Sequence, residues 1–294
     1  MQAKREGNGE DPEKLVEARR RKQRTLDSPT APGFGRRAFL GGALAAAGGM
    51  AMAQDAKLAP QPKVHGNALV YQFKIGGFHA WSISDGHLLF LGPLDLMWPR
   101  EGQPQMKEWL EIHGEWMDGI PLDVNILVVR MGKEIAIFDA GFGERDNANL
   151  GWLQDGLKQA GMIQEVCRQF EILKGVSQPV KSGTQFFNGA VTVEAAPGHT
   201  AGHAVFRITS GNETLLHLMD LSHHHGFMFH NPEWYIAFDH DPLQSIDTRK
   251  KVFAKAAAER TRCYGFHVPW PGIGQVVPVG AGYLWHPERW SWGS

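Results

Sequence analysis

Two histidines, His199 and His203, stand in the segment EAAPGHTAGHAVF, a short loop rich in Pro and Gly between two apolar runs. Imidazole is the commonest metal ligand and the side chain that titrates near neutral pH, so this pair raises the question of a metal site. Two further groups with suitable chemistry close apolar runs downstream. Asp220 ends TLLHLMD, and His267 follows RCYGF. Just after Asp220 come His223, His224 and His225, with His230 beyond them. Catalytic zinc takes about three protein N or O ligands and keeps a position open for the water it activates, and donors of these types would serve. Each residue alone has a plainer reading, as a hydrogen-bonded strand-end histidine or a turn-forming aspartate. FDHDP adds Asp239, His240 and Asp241, and there an aspartate before Pro242 reads as a helix cap rather than a ligand.

The elements around these residues give a reason for them to meet. ALVYQFKIG and FHAWSIS read as a hairpin that ends in a turn at Asp85-Gly86. Residues 92 to 121 carry several prolines and tryptophans without a clean period, which suggests a covering loop or short helices. Asn125 to Met131 and Glu134 to Phe138 form two strands joined at Gly132-Lys133, with Asp139 where the second one ends. Leu150, Leu153, Leu157 and Ala160 recur at helical spacing up to Gly161, and Val166, Phe170 and Leu173 continue as a second helix. Strands return at TQFF, AVTVEAA, HAVFRIT and TLLHLMD. Pro242 opens a helix to about Arg260, and RCYGF is a last buried strand. This order predicts an α/β fold of two sheets with helices outside, and strand ends that converge on one rim. The tail GYLWHPERWSWGS would cover a sheet edge, form a dimer contact, or pack Trp285, Trp290 and Trp292 into the core.

Composition narrows the function classes. The chain has 294 residues, 43% of them hydrophobic and 21% charged, enough for a real core and outside the disordered and collagen-like ranges. Its first 53 residues hold 10 Lys or Arg and 6 Asp or Glu; the rest hold 20 and 25, with no basic patch of the kind nucleic acid requires. All 14 histidines lie after residue 53. The leader resembles a twin-arginine export signal: Arg36-Arg37, then Phe39 and Leu40, an Ala- and Gly-rich stretch, and a small-x-small site at Ala51, Met52 and Ala53. That apolar stretch, about 14 residues, is shorter than the roughly 20 that span a bilayer. The expectation is a leader over 1–53 and one domain over 54–294, periplasmic or secreted, with no stable membrane span after cleavage. Cys167 and Cys263 are expected to stay free. There is no Gly-x-Ser-x-Gly elbow and no phosphate-binding glycine pattern, which argues against a triad hydrolase or a nucleotide enzyme.

DAGFG, APGHTAGH, MDLSHHH, FDHDPLQSIDTR and GFHVPWPGIG occur in that order and resemble the metallo-β-lactamase fold, most of all its exported methyl parathion hydrolase-like and lactonase-like branch. The resemblance runs from about Val70 to the C-terminus. It implies an αβ/βα sandwich of two mixed sheets with outer helices, and zinc as cofactor. It also implies that His199 binds one metal, that Asp220 bridges two and that His267 binds the second. Asp139 would support the ligands from behind. Phe227 and Trp270 would line an apolar pocket for a small-molecule substrate, and a homodimer is possible.

One departure from the family is decisive for its chemistry. The family's His-x-His-x-Asp-His stretch should follow the first long helix, yet no histidine occurs between His113 and His199. LKQAGM runs straight into IQEVCRQFEILKGV, which points to an internal segment missing near residues 162 to 164. Without it neither metal keeps a full ligand set, unless His223, His224 or His225 compensates. Two classes of function stay open. One is a zinc-dependent hydrolase of an ester, lactone or phosphotriester bond. The other is a non-catalytic or metal-impaired descendant that acts as a binding protein or has no activity.

Overall fold

The computed structural model describes residues 69–91, 98–115, 119–143, 149–173, 176 and 178–289. By its contacts the chain divides into Met1–Leu58 and Ala59–Ser294, and every described residue lies in the second unit. The twin-arginine pair, the site at Ala53, Trp290 and Trp292 therefore lie outside the described residues. Among the described residues no helix is long and apolar enough to cross a membrane.

The first sheet has four antiparallel strands in the order β1 (Val70–Ile75), β2 (Phe78–Leu91), β3 (Gly119–Met131) and β4 (Glu134–Phe138). The second has seven: β5 (Gln185–Phe186), β6 (Val191–Ala195), β7 (Ala204–Ser210), β8 (Glu213–His217), β9 (Arg262–Tyr264), β10 (Ile273–Val279) and β11 (Gly282–Pro287), paired in that order. All its pairs are antiparallel except β8 with β9. Among the described residues five α-helices accompany the sheets: α1 (Gln103–His113), α2 (Leu153–Gln159), α3 (Ile163–Leu173), α4 (Phe227–His230) and α5 (Pro242–Glu259).

The side-chain pattern explains the layers. β1 buries Tyr71, Phe73 and Ile75, alternate residues that share one face, against Val191, Ile208, Leu215 and Ile273 of the other sheet. Ser82 Oγ and Tyr264 Oη, 2.7 Å apart, join the sheets across this core. β3 is buried on both faces from Val124 to Val129: Leu127 and Val129 face inward, while Ile126 and Val128 meet Leu153, Leu157 and Val166 of α2 and α3. Outside the second sheet, Phe229 of α4 and Phe253 and Ala256 of α5 cover Val205, Leu216 and Trp285. The result is the expected αβ/βα sandwich. α2 lies so close to β2 that a Cβ on Gly156 would stand 2.2 Å from Ile83 Cγ2.

Three local expectations need correction. Asp85-Gly86 is no turn: β2 continues to Leu91, and its pairing with β3 shifts register between Ser84 and His87, a β-bulge. The bulge turns Asp85 inward, where its carboxylate accepts Leu153 N–H (2.8 Å) and Phe142 N–H (2.7 Å) and ties down two loops. RCYGF is not the last strand, because β10 and β11 follow, and Trp285 of β11 packs in the core, as one of the readings of the tail had it. β3 begins at Gly119, and residues 92 to 121 contain α1. Cys167 and Cys263 are free.

Candidate metal centre

His199 is placed by a loop that only glycine permits. After β6, Gly198 has φ +135°, and a Cβ there would lie 2.2 Å from Ser245 N at the start of α5. Pro197 O accepts the Thr248 hydroxyl, Gly198 O accepts Asp241 N–H, and His199 O accepts His240 N–H. Asp241 also caps α5 by accepting Gln244 N–H at 3.1 Å, as its sequence context suggested. The imidazole then meets Asp239, which the sequence offered in FDHDP without this role: His199 Nδ1 donates to Asp239 Oδ1 at 3.0 Å. Asp239 is fully buried at its side chain, with Arg249 Nη2 3.7 Å from Oδ2. With Nδ1 committed, His199 Nε2 carries a lone pair. Burial pulls the imidazolium pKa down, but the hydrogen bond to Asp239 and the charges of Asp220 and Asp239 raise it above the ordinary histidine value.

Asp220 sits in the 3₁₀ turn Met219–Leu221 that follows β8. Its backbone N–H donates to His203 Nε2 at 3.1 Å, and His203 Nδ1 donates to Ala196 O at 2.7 Å. His203 therefore spends both nitrogens as a spacer between the exit of β6 and the exit of β8. Burial keeps it neutral by lowering its pKa.

His267 follows β9. Its Nδ1 donates to Asp123 O at 2.6 Å, while the Asn125 amide donates to Val268 O at 2.7 Å, so the middle of β3 holds this loop. Its Nε2 lies 3.1 Å from Asp220 Oδ1. Burial would raise the Asp220 carboxyl pKa, but the His267 hydrogen bond and the neighbouring His199 and His223 hold it far below the usual carboxylate range.

The triple histidine divides. His223 turns inward, 3% exposed, with Nε2 3.8 Å from Asp220 Oδ1 and its ring 4.7 Å from His199 and 5.1 Å from His267. Its Nδ1 is buried without a partner, and burial holds its pKa well below the histidine value. His224 and His225 point to Glu115 instead, at 3.9 and 2.9 Å. His224 Nδ1 accepts Gly226 N–H and Phe227 N–H, so its proton rides on Nε2 and no lone pair faces Glu115. A cation among Glu115, His224 and His225 is disfavoured for that reason, although their donor atoms lie within 4.8 Å of one another.

The donor atoms of His199, Asp220 and His223 also lie within 4.8 Å of one another. Tetrahedral zinc with bonds of about 2.0–2.1 Å sets ligands ~3.3 Å apart, a contraction of at most about 1.5 Å. Two neutral imidazoles and a carboxylate are the right chemistry for zinc, and the orphaned nitrogen on His223 leaves that ring free to choose its tautomer. The residues present fit one zinc ion.

The other expected residues stand elsewhere. Asp139, in left-handed backbone with φ 72°, accepts Gly141 N–H at 2.7 Å and caps its own turn. Asp139 is exposed by surface area, but partial loss of water around its carboxyl and the nearby Asp220 charge raise its pKa. Phe227 is wholly buried against Trp98, Trp109 and His224, a core plug and not a pocket wall, because α4 turns it inward. Trp270 meets Tyr71 edge-on and packs against the core between the sheets.

Solved structures of the same shape exist. A dizinc quorum-quenching lactonase, AidC, in complex with a product homoserine, superposes with TM-score 0.68 at 20% identity, covering 76% of this chain and 99% of the lactonase. The fold is the metallo-β-lactamase sandwich. The hydrolase AbOPH of the β-lactamase superfamily gives TM-score 0.66 at 20% identity over the same shares. A probable metal-dependent hydrolase from Staphylococcus aureus gives 0.58 at 14%, covering 75% of this chain and all of that one. No family pattern matches the sequence. No curated protein matches it either.

Proposed function

We propose that this protein is a zinc-dependent hydrolase of an ester, lactone or phosphotriester bond that works with one metal ion. Its ligands are His199, Asp220 and His223, with His267 hydrogen-bonded to Asp220. The observation that carries this reading is the convergence of His199, anchored at Nδ1 on Asp239, with Asp220 and His223, their donor atoms within 4.8 Å of one another. Such anchoring fixes the tautomer and orients Nε2 for a metal. The structural neighbours named as metal-dependent hydrolases and as a lactonase support the same class. The absence of histidine between His113 and His199 supports a lost His-x-His-x-Asp-His segment, and with it the loss of a two-metal site. The leader supports twin-arginine export to the periplasm or beyond, and the protein is proposed to act on a small molecule, as a monomer or a homodimer.

Zinc, when bound, lowers the pKa of a water to about 7 and polarises a carbonyl or phosphoryl oxygen. The chain's own residues do the rest. Asp239 holds His199 in one tautomer, His203 fixes the Asp220 backbone, and His267 holds one oxygen of Asp220 so that the carboxylate keeps one orientation.

A second reading has one observation behind it. The direct contact of His267 with Asp220 closes the cluster with no ion, as in a metal-impaired binding protein. Elemental analysis of protein purified without added metal separates the two. The hydrolase reading expects about one zinc per chain, lost in His199→Ala and His223→Ala, and zinc-dependent turnover of at least one class in a panel of lactones, aryl esters and phosphotriesters. Folded protein with no stoichiometric zinc and no turnover refutes it.

A further inference from the structure

The two sheets leave a slot at one side. Among the described residues β4 is the edge of the first sheet and β5 the edge of the second. Between them lies a cavity of about 300 Å³, at the lower end of the range for small-molecule sites. Ala136 and Phe138 of β4 line it together with Phe187, Phe206 and Met219, and the rings of Phe138 and Phe206 pack edge-on at 5.2 Å. Among the described residues, Asp139 is its one charged lining residue.

This slot adjoins the candidate metal centre through Met219, which precedes Asp220, while Asp139 follows the end of β4. Both stand in left-handed backbone, φ 49° and 72°, a sparsely populated conformation for non-glycine residues that persists only where the surroundings impose it. The walls are not a sealed core. Phe187, Phe206 and Met219 are only partly buried, and Phe186 at the mouth is 41% exposed. An apolar space that opens beside a polar cluster suits a ligand with an uncharged hydrocarbon tail and a polar head. A carboxylate at Asp139 disfavours an anionic tail.

We propose that the slot between β4 and the β5–β7 side of the second sheet binds the uncharged alkyl or acyl chain of the substrate, placing its reacting group at Asp220. The placement of the reacting group rests on the hydrolase reading; the binding of the chain does not. An edge strand of a second copy along β4 is the competing occupant.

The test is calorimetric titration of the full chain with straight 1-alkanols from butanol to decanol, in chelator and again with zinc. One-to-one binding is expected in both, tightening about fourfold per methylene until the slot is full. Ala136→Phe, which fills the slot, should abolish it, and Phe206→Ala should move the optimum to longer chains. The second variant keeps the test valid if the first fails to fold. Decanoate should bind more weakly than decanol, with Asp139→Asn narrowing the gap. Affinity that ignores chain length, or that survives Ala136→Phe in folded protein, overturns the proposal. So does a dimer that Ala136→Phe dissociates while no alkanol binds. Alkanol binding in protein that takes up no zinc would sink the hydrolase reading and leave the slot standing.

Discussion

Arg249 is where the site is most exposed to a single change. Its side chain is fully buried in α5, yet its guanidinium reaches across the molecule. Nε donates to Leu221 O at 2.7 Å, Nη1 to Pro232 O at 2.9 Å and Trp234 O at 2.6 Å, and Nη2 to Ser245 Oγ at 3.1 Å. The same Nη2 is 3.7 Å from Asp239 Oδ2, the carboxylate that holds His199. Burial lowers the Arg249 pKa to about 10, so the group stays charged at neutral pH. Arg249→Met keeps much of the apolar stem and removes every donor. Three carbonyls then lose their partner and Asp239 loses its countercharge. An unsatisfied buried carbonyl costs about 1–3 kcal/mol, and breaking a buried ion pair about 3–5 kcal/mol. These terms overlap, because a relaxing loop rescues several groups at once, so the expected loss is ~3–5 kcal/mol out of a total of ~5–15. Urea unfolding of parent and variant measures it through midpoint and slope. Asp239→Asn alone should also destabilise, and the double variant should cost less than the sum, since no charge is left unpaired. Zinc affinity should fall about 10–100-fold in either single variant. If Arg249→Met unfolds within about 1 kcal/mol of the parent with an unchanged slope, the clamp does not hold the site and this reasoning is wrong.

Two further outcomes test the framework. His217 is fully buried, with Nδ1 accepting Met219 N–H, and burial lowers its pKa to about 3. The fold keeps it neutral while the unfolded chain takes up a proton below about pH 6.5, so stability is lost as pH falls through that window, at ~1.4 kcal/mol per pH unit for this group. Compared with His217→Gln, the parent's unfolding free energy should fall more steeply between pH 6.5 and 4.5; parallel curves would count against it. Gly156→Ala on α2 sets two effects against each other. Alanine gains about 1 kcal/mol in a helix, but its Cβ would strike Ile83 Cγ2, and overpacking costs about 1–3 kcal/mol. Ile83 is wholly buried and cannot swing away, so a net loss in thermal melting is expected, and a gain would show that α2 can lift from the sheet.

Much of the layout was legible because it rests on local chemistry. The run from Asn125 to Val129 reads as a buried strand since both its faces are covered, and Asp241-Pro242 opens α5 since the cap and the proline act within one turn. His199, Asp220 and His267 could be brought together because each follows a strand of one sheet. What stayed hidden depends on distant partners. Asp85 carries a turn signature, and only its pairing with β3 shows a bulge whose carboxylate serves the 142 and 153 amides. Asp239 looks no different from Asp241 in FDHDP, yet one meets His199 and the other caps a helix. Phe227 was expected at a pocket, but the turn at Gly226 and the four residues of α4 direct it into the core. No residue type in HHH says which ring turns inward.

The hydrogen bond at Nδ1 is what sorts these rings, and it answers why the GHTAGH loop carries two histidines. A neutral imidazole that donates only through Nδ1 keeps a lone pair on Nε2; one that accepts at Nδ1 carries its proton on Nε2 and cannot ligate there. His199, His203 and His267 donate, to Asp239, Ala196 O and Asp123 O. His217 and His224 accept, from Met219 N–H and from Gly226 and Phe227 N–H. Of the three donors, His203 has already given its Nε2 lone pair to the Asp220 amide. His267 has its Nε2 against Asp220 Oδ1. That leaves His199 oriented for a cation beside the Asp220 carboxylate, and His223, whose Nδ1 has no partner, able to adopt whichever tautomer an ion selects. The second histidine of the loop is thus spent on placing the aspartate that the first one needs.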